Sequence, residues 1–337
     1  RRWRSTAVRG GAETGRARVL GVLRERGEDP DATFTGGRYA MSALSEAERL
    51  AGREPAGNEA LDIPDWLAPD LRASLGAEFE PVCRAFRARA DVFLRWNAAR
   101  TTGPDAIDLL ARDGITVEAH PLAPWALRVV TGARRIRDAV AYQTGLVEIQ
   151  DAASQAVCAA LPITPGMRVL DYCAGGGGKA LALAALGAEV VAHDANPARM
   201  TDLAARAARA QCEIVLSPTS ALQTHGTFDL VLTDVPCSGS GAWRRQAQAK
   251  WTLTLDRIAS LQRTQAEILD AVGDHLSPSG RLAYVTCSLL DAENEGAIER
   301  FLLRQDAVWD VERKATISPL AGGDGFFLAL LRREVQP

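Results

Sequence analysis

Residues 168–194 read RVLDYCAGGGGKALALAALGAEVVAHD. The apolar stretch at 168–173 is typical of a buried strand, and it runs directly into the glycines at 175–178. A segment rich in alanine and leucine at 179–186 predicts a helix. Residues 189–194, with an apolar run at 190–192, predict a second strand. A strand, a glycine turn, a helix and another strand in this order indicate a parallel sheet with crossover helices.

The same alternation continues to the C-terminus. Further strands are predicted at 213–217, 228–233, 281–286, 308–313 and 326–331, with helices at 256–275, at 292–303 and from Pro197 onward. We therefore predict an α/β fold in which residues 146–337 form a doubly wound, mostly parallel, seven-stranded Rossmann-like sheet.

Two smaller regions precede this sheet. Short alanine-, leucine- and arginine-rich segments predict only a helical N-terminal segment over residues 1–60. Residues 61–145 are predicted to form a small α/β domain, with a helix at 104–113 and strands at 92–97, 116–119 and 126–130.

The composition narrows the class of protein. The 337 residues are 47% hydrophobic and 24% charged, with a formal net charge of −3, as in soluble globular proteins. No apolar run approaches the ~20 residues that cross a bilayer. The six cysteines are scattered, without paired cysteines or histidines at metal-binding spacing. We expect a cytoplasmic monomer with reduced thiols and with neither a metal nor a membrane partner.

In a doubly wound sheet, ligands bind at the carboxyl ends of the strands. The loop at 173–179 lies there, and its glycines allow backbone amides to approach a ligand while the following helix N-terminus favours a negative group. Asp194 ends the second strand, where an acidic residue commonly binds the ribose hydroxyls of an adenosine. These residues predict a nucleoside cofactor and, by themselves, leave NAD and S-adenosylmethionine as alternatives.

Two later strands end in cysteines. The fourth strand is followed by Asp234 and Cys237 in an Asp-x-Pro-Cys pattern, and the fifth by Cys287 in Thr-Cys-Ser. If the first, fourth and fifth strands are adjacent, both thiols lie at the edge that carries the glycine loop. Addition of a thiolate to carbon 6 of cytosine makes carbon 5 nucleophilic toward a sulfonium methyl, whereas hydride transfer from NAD needs no thiol pair. The sequence therefore predicts S-adenosylmethionine-dependent methylation of cytosine carbon 5.

These motifs resemble those of the Sun/RsmB-type RNA cytosine-5 methyltransferase family, from about residue 62 to the C-terminus. The matching patterns are Asp-x-Pro-Cys-Ser-Gly-x-Gly at 234–241, Thr-Cys-Ser at 286–288, Glu-Asn-Glu at 293–295, Gly-Leu-Val-Glu-Ile-Gln-Asp-Ala-Ala-Ser-Gln at 145–155, Leu-Arg-Trp-Asn at 94–97 and Asp-Gly-Phe-Phe at 324–327.

The resemblance implies a role for each matched residue. Cys287 is expected to be the nucleophile, Cys237 to assist release of the methylated RNA, and Asp234 to contact both the cytosine and the cofactor. The expected contacts of S-adenosylmethionine are completed by Asp194, Cys173, Ala174, Gly175, Gly176, Gly177, Gly178 and Lys179. Since enzymes acting on DNA cytosine use a Pro-Cys thiol as nucleophile, exchanged roles for Cys237 and Cys287 are the alternative.

The sequence departs from the family pattern at two places. Gly175 and Gly176 stand where the family usually has Ala-Pro. This difference makes the loop backbone more flexible but keeps its amides. After the third strand, residues 217–220 read Ser-Pro-Thr-Ser and offer hydroxyls where the family usually has an aspartate near the adenine.

The resemblance also implies that the chain binds RNA. Residues 61–145 resemble the family's small RNA-binding domain, and residues 1–60 are interpreted as the remnant of a NusB-like helical domain. Arg244, Arg245 and Lys250 follow the Pro-Cys motif among tryptophans and are expected to contact RNA. The expected substrate is 16S ribosomal RNA. The alternatives are a transfer RNA cytosine-5 methyltransferase and a non-catalytic RNA-binding ribosome assembly factor.

Overall fold

Helices and strands alternate over most of the chain, and the computed structural model describes residues 1–305 and 307–333. The α-helices are α1 (Trp3–Gly10), α2 (Gly15–Arg26), α3 (Glu46–Leu50), α4 (Ala68–Leu75), α5 (Phe79–Ala85), α6 (Gly103–Arg112), α7 (Val140–Gln143), α8 (Ala152–Ala159), α9 (Gly178–Ala184), α10 (Leu203–Ala210), α11 (Ala249–Thr252), α12 (Leu255–Ala271) and α13 (Glu295–Arg304). The strands are β1 (Phe93–Trp96), β2 (Thr116–Ala119), β3 (Ala126–Thr131), β4 (Val147–Ile149), β5 (Arg168–Asp171), β6 (Glu189–Ala192), β7 (Ile214–Leu216), β8 (Phe228–Asp234), β9 (Leu276–Thr286), β10 (Trp309–Ile317) and β11 (Phe326–Arg333).

The described residues divide into two units. The first comprises residues 1–89 and 243–252, and the second comprises residues 90–242 and the described residues from 253 onward. The domain boundaries predicted at 60/61 and 145/146 differ from this division and stay predictions. Strand β4, which pairs with β1, lies beyond residue 145, so the smaller sheet extends past the second predicted boundary.

In the first unit, a buried carboxylate from a distant part of the chain caps helix α1. The backbone amides of Arg4 and Ser5 donate to Asp62 Oδ1, each at 2.9 Å, and the Ser5 hydroxyl donates to its Oδ2 at 2.7 Å. Helix α1 has no side-chain cap at its own first residue. A helix N-terminus has unpaired backbone amides and a partial positive charge. The Asp62 carboxylate accepts hydrogen bonds from two of these amides and places a negative group beside the positive end. It also joins α1 to the loop before α4.

The second unit contains a four-stranded antiparallel sheet in the order β2-β3-β1-β4. Helix α6 begins where the Thr102 hydroxyl accepts the amide of Asp105, and its Leu110 packs in one core with Leu94 and Leu127 of the sheet. The helix and the first three strands lie within one residue of their predicted positions. The short strand β4 was not predicted.

The same unit contains a seven-stranded sheet in the order β10-β11-β9-β8-β5-β6-β7. Strands β5 to β9 pair in parallel, whereas β11 pairs antiparallel with β9 and β10. A buried core covers each face, with Val169 and Leu230 in one and Leu170 and Val231 in the other. The predicted doubly wound sheet is confirmed, and the strands predicted as first, fourth and fifth, which are β5, β8 and β9, are adjacent.

Parallel pairing brings three strand ends to one edge of this sheet. Asp171, the last residue of β5, pairs with Leu232, and Asp234, the last residue of β8, pairs with Val285 of β9. Since neighbouring strands lie about 4.8 Å apart, the ends of β5 and β9 are separated by roughly 10 Å. The loops that follow these strands therefore lie within reach of one bound ligand.

Strand β9 begins earlier than predicted, at Leu276, and the Pro-Ser-Gly residues 278–280 lie within it. The register between β8 and β9 shifts between Phe228 and Leu230, as at a β-bulge. A Cβ at Gly280 would lie 2.8 Å from the carbonyl oxygen of Phe228, so glycine allows the two backbones to approach. Residues 278–280, which lie between the predicted helix and the predicted strand, therefore mark an irregularity in strand pairing.

Gly177→Ala is expected to destabilise the chain more than Gly166→Ala. Both glycines have a positive φ, +77° and +80°, so alanine costs about 1 kcal/mol at either position. A Cβ at Gly177 would also lie 2.1 Å from Leu203 Cδ1, whereas one at Gly166 would meet no heavy atom within 4 Å. Crowding of this kind adds about 1–3 kcal/mol. Urea unfolding measures the difference, and an equal loss of unfolding free energy would contradict the close packing of the loop on α10.

Candidate active site

The glycine loop between β5 and α9 is held by the carboxylate of Asp194. Its Oδ2 accepts the amide of Gly175 at 3.0 Å, and its Oδ1 accepts the amide of Asn196 at 2.9 Å. Asp194 is buried, and Arg199, whose side chain is 54% exposed, forms an ion pair with it at 3.0 Å. The structure thus brings together the predicted loop and the predicted acidic residue.

Other parts of the loop are held by residues that were not assigned to the predicted site. The buried guanidinium of Arg95 donates to the carbonyl of Gly178 at 2.9 Å and also to the side chain of Gln150. Arg206 donates to the carbonyl of Gly176. Arg95 and Gln150 both lie in motifs shared with the family. Their presence in those motifs could have identified them as site residues from the sequence.

Lys179, in the first turn of α9, joins the glycine loop to the end of β8. Its Nζ donates to Asp234 Oδ2 at 2.6 Å, and its side chain is 7% exposed against 32% for Asp234. Burial lowers the pKa of Lys179, but the charge and hydrogen bond of Asp234 outweigh burial and raise it overall. Lys179 therefore stays positively charged, and Asp234 is the partner that can contact a ligand.

A second carboxyl group close to this ion pair is almost completely buried. Asp171, the last residue of β5, is 1% exposed. Burial raises its pKa to about 7, against the opposing effect of Lys179 and with a further contribution from Asp234. Asp171 was not among the predicted site residues, although its position directly before the glycine loop is a signal that could have found it.

The two predicted cysteines lie in contact with each other. The Sγ atoms of Cys237 and Cys287 are 3.5 Å apart, and both residues are half-buried free thiols. Val235 donates to the carbonyl of Val285 at 3.0 Å and Gly241 to that of Cys287 at 2.9 Å, so the loop after β8 follows the end of β9. The Cys287 sulfur and burial raise the pKa of Cys237 well above its usual range. Cys237 is therefore a thiol that keeps its proton.

The three cationic residues predicted to contact RNA differ in exposure. Arg245 is exposed, whereas Arg244 is 7% exposed and Lys250 is 1% exposed. Burial lowers the pKa of Lys250 to about 8, and its Nζ lies 3.5 Å from the carbonyl oxygen of Arg1. Arg244 and Lys250 are thus enclosed in the first unit, and of the three only Arg245 is exposed.

After β7, two hydroxyl groups are paired with histidines. Ser217 Oγ lies 3.0 Å from Nε2 of His225, and Thr219 Oγ1 lies 2.9 Å from Nε2 of His193. The Nδ1 of His193 is 2.7 Å from the carbonyl oxygen of Tyr172, so in the neutral ring Nδ1 donates there and Nε2 accepts from Thr219. The hydroxyls that replace the family's aspartate are therefore already engaged with protein groups.

The sheet order and the loop at its carboxyl edge define a methyltransferase with a Rossmann-like fold. More closely, the chain belongs to the family described as 16S rRNA methyltransferase RsmB/F, whose sequence model matches residues 158–332. A second model, described as the RsmF/B-like ferredoxin-like domain, matches residues 63–134. The resemblance to the Sun/RsmB family is confirmed. Across residues 1–305 and 307–333 no cluster of three or more His, Cys, Asp or Glu side chains could hold a metal ion, and no helix could span a membrane.

Curated relatives of this chain are named ribosomal RNA small subunit methyltransferase B. The protein from Photorhabdus laumondii is 31% identical over 284 residues, which are 80% of this chain and 66% of the relative. The protein from Xanthomonas campestris is 34% identical over 305 residues, 84% of this chain and 70% of the relative. The crystal structure of PH0851 is similar with a TM-score of 0.75 and 27% identity, covering 87% of this chain and 70% of that one. The chain therefore spans about two thirds of the curated relatives.

Asp171→Asn is expected to stabilise the chain more at pH 8 than at pH 5. The pKa of Asp171 is about 7 in the folded chain and about 3.9 when unfolded, so the folded chain binds the extra proton between these values. The proton held by Asp171 therefore stabilises the folded chain below about pH 4. This contribution to the free energy of unfolding is lost as the pH rises from about 4 through 7, by up to about 1.4 kcal/mol per pH unit. Asparagine does not titrate and avoids this loss. Thermal unfolding of both proteins measures the effect, which a pH-independent difference would contradict.

Proposed function

We propose that this chain methylates carbon 5 of a cytosine in ribosomal RNA, with S-adenosylmethionine as the methyl donor. The observation that carries the proposal is the contact of two thiols, 3.5 Å apart, on loops that follow adjacent strands. One of these loops begins at Asp234, which Lys179 joins to the glycine loop. Two sulfurs at one centre suit a reaction in which a thiol first bonds to the substrate and must then leave it.

The groups around the glycine loop fit S-adenosylmethionine. The Asp194 carboxylate supplies acceptors for ribose hydroxyls, and Arg199, which is half exposed, can move aside or share the ligand. The positive φ values of Gly175 and Gly177, +52° and +77°, turn the loop so that backbone rather than side chains faces a ligand. When bound, this cofactor supplies an electrophilic methyl group on a sulfonium sulfur. The proposed binding residues are Cys173, Ala174, Gly175, Gly176, Gly177, Gly178, Lys179, Asp194 and Asp234.

Cys287 is the proposed nucleophile. Its thiolate bonds to carbon 6 of cytosine, the double bond between carbons 5 and 6 opens, and ring nitrogen 3 takes up a proton as charge builds there. Carbon 5 then forms its bond to the methyl carbon, whose bond to the donor's sulfonium sulfur would break with the electron pair leaving on that sulfur. Carbon 5 afterwards loses its own proton. The electron pair left by that proton restores the double bond, the Cys287 sulfur leaves, and nitrogen 3 returns its proton. The net products would be 5-methylcytosine, S-adenosylhomocysteine with a neutral thioether sulfur, and one released proton.

Asp234 is the proposed contact for the base. Because Lys179 donates to one carboxylate oxygen, the other can accept from the exocyclic amine of cytosine and from protonated nitrogen 3. Uracil carries an oxygen in place of that amine and would face the carboxylate with a second acceptor. This arrangement therefore favours cytosine.

Cys237 is proposed to assist release. Its raised pKa keeps it protonated beside Cys287, so it can donate a proton when the sulfur of Cys287 leaves the ring. The exchanged assignment, with Cys237 as nucleophile, is the alternative, because either sulfur can donate the proton across the 3.5 Å contact.

The proposed substrate follows from the relatives, which are named for ribosomal RNA of the small subunit. Stacking shields carbon 6 in a duplex, so the target cytosine must be unpaired or flipped out. We propose that residues 61–145 and the exposed Arg245 contact this RNA. We further propose that the chain acts as a cytoplasmic monomer.

Incubation with 16S ribosomal RNA and labelled S-adenosylmethionine is expected to place label in 5-methylcytosine, because the proposed contact with Asp234 favours cytosine and two thiols lie beside each other. Chromatography of the digested RNA identifies the base, and a parallel incubation with transfer RNA tests the alternative substrate. Binding of S-adenosylmethionine is measured separately by calorimetry. Absence of label from every RNA, with the cofactor bound, would favour a non-catalytic RNA-binding protein.

Cys287→Ala is expected to lower methylation at least about a thousandfold, since the covalent route is lost. Cys237→Ala is expected to retain attack but not release, so that a protein–RNA complex accumulates on denaturing gels. Cys212→Ala, which removes another half-buried free thiol outside the site, is the control and should behave as the unmodified chain. The reverse pattern for Cys237 and Cys287 would exchange their roles.

A further inference from the structure

A fully buried carboxylate is hydrogen-bonded to both cysteine loops. Glu293 is 0% exposed and lies in the turn between β9 and α13. Its Oε1 accepts the backbone amide of Ser238 at 2.9 Å, and its Oε2 accepts the hydroxyl of Ser288 at 2.6 Å. These serines directly follow Cys237 and Cys287, so one side chain is bonded to the residue after each thiol.

Gln265 of α12 adds a third connection from the same interior. Its Nε2 donates to Glu293 Oε1 at 3.0 Å and to the carbonyl of Pro236 at 2.9 Å, and Gln265 is itself 0% exposed. Pro236 and Ser238, on either side of Cys237, are therefore both held by this pair. The backbone position of Cys237 is fixed relative to α12 and to Glu293.

Three hydroxyls link the two loops directly. The Oγ atoms of Ser238, Ser240 and Ser288 lie 3.1 to 3.2 Å from one another. Ser240 Oγ accepts the amide of Leu289 at 2.7 Å, and Ser288 Oγ accepts the amide of Leu290 at 3.0 Å. The loop after β8 is thus bonded to the loop after β9 at several points, with Glu293 as the common acceptor.

The donors to Glu293 are amide and hydroxyl groups, which act only over short distances and at defined angles. A buried polar group is costly when its hydrogen bonds are lost, so a shift of either loop relative to the Glu293 side chain raises the free energy. The Tyr284 hydroxyl donates to the backbone carbonyl of Glu293 at 2.7 Å and fixes the turn from which the side chain extends. Glu293 is therefore held in place while it holds the loops.

We propose that Glu293 is a positioning residue that sets the separation of the two sulfurs. Its catalytic consequence rests on the proposed reaction, in which both thiols serve the same pyrimidine in turn. Small misplacements of reacting atoms cost large factors in rate, whereas binding of RNA and cofactor involves other residues. Loss of the carboxylate should therefore lower the rate constant of methylation and leave affinities nearly unchanged.

The first measurement needs no methylation activity. Phenylarsine oxide condenses with two neighbouring thiols, forming two arsenic–sulfur bonds and releasing one water. The unmodified chain is expected to bind one equivalent by intact mass, and Cys237→Ala or Cys287→Ala to lose it. Glu293→Gln keeps the side-chain shape but replaces an acceptor oxygen with an NH₂ group. It should weaken arsenical binding at least about fivefold, because the separation of the two sulfurs is then less well fixed.

The second measurement is the kinetic split. Glu293→Gln is expected to lower kcat about 10- to 100-fold, with KM for RNA and Kd for S-adenosylmethionine within about twofold. Glu295→Gln is the matched control, because it makes the same change two residues away on a side chain that is 41% exposed and paired with Lys314. If Glu293→Gln does not fold, as judged by thermal unfolding, Ser288→Ala removes one donor and carries the same expectations.

The outcomes separate this proposal from the proposed function. Unchanged arsenical binding and unchanged kcat in the folded Glu293 variant would overturn the positioning role. Equal losses of arsenical binding and kcat in the Glu295→Gln control would overturn it as well. Weaker arsenical binding, in a chain that methylates no RNA, would support the positioning of the thiols while rejecting the proposed reaction.

Discussion

The parallel pairing of β8 with β9 is the constraint on which the candidate site depends. Asp234 pairs with Val285, so Cys237 and Cys287 follow three and two residues beyond matched positions at one edge of the sheet. Each intervening strand would separate the two loops by about a further 5 Å. A sulfur–sulfur contact of 3.5 Å therefore requires these strands to be neighbours, and the apolar cores on both faces of the sheet keep them so.

Three buried carboxyl groups lie around this edge, and each is accommodated in a different way. Asp171 has a pKa near 7, Asp194 accepts backbone amides and pairs with Arg199, and Glu293 accepts neutral donors from both cysteine loops. Different surroundings thus give groups of one chemical type different tasks. All three groups are buried, so they differ in the hydrogen-bond donors around them rather than in burial.

The sequence predicted the parts of the fold that follow from local pattern. Strands buried on both faces read as apolar runs, and the motifs around Asp234, Cys237 and Cys287 identified the strand ends that carry the thiols. Contacts that depend on long-range packing were not predictable, such as the hydrogen bond from Arg95 to Gly178. Arg244 and Lys250 are buried although charged residues among tryptophans indicated a surface, because exposure depends on how the segment packs. The three-residue strand β4 is too short to give a periodic signal.

The identity of the residue that bonds to the base tests the proposed chemistry most directly. An RNA substrate with 5-fluorocytosine at the target position cannot lose fluorine from carbon 5, so the covalent complex persists after methyl transfer. Tandem mass spectrometry of the digested complex locates the attached residue. We expect a nucleotide attached to Cys287. Attachment to Cys237, or no attachment in a protein that still methylates the normal RNA, would contradict it.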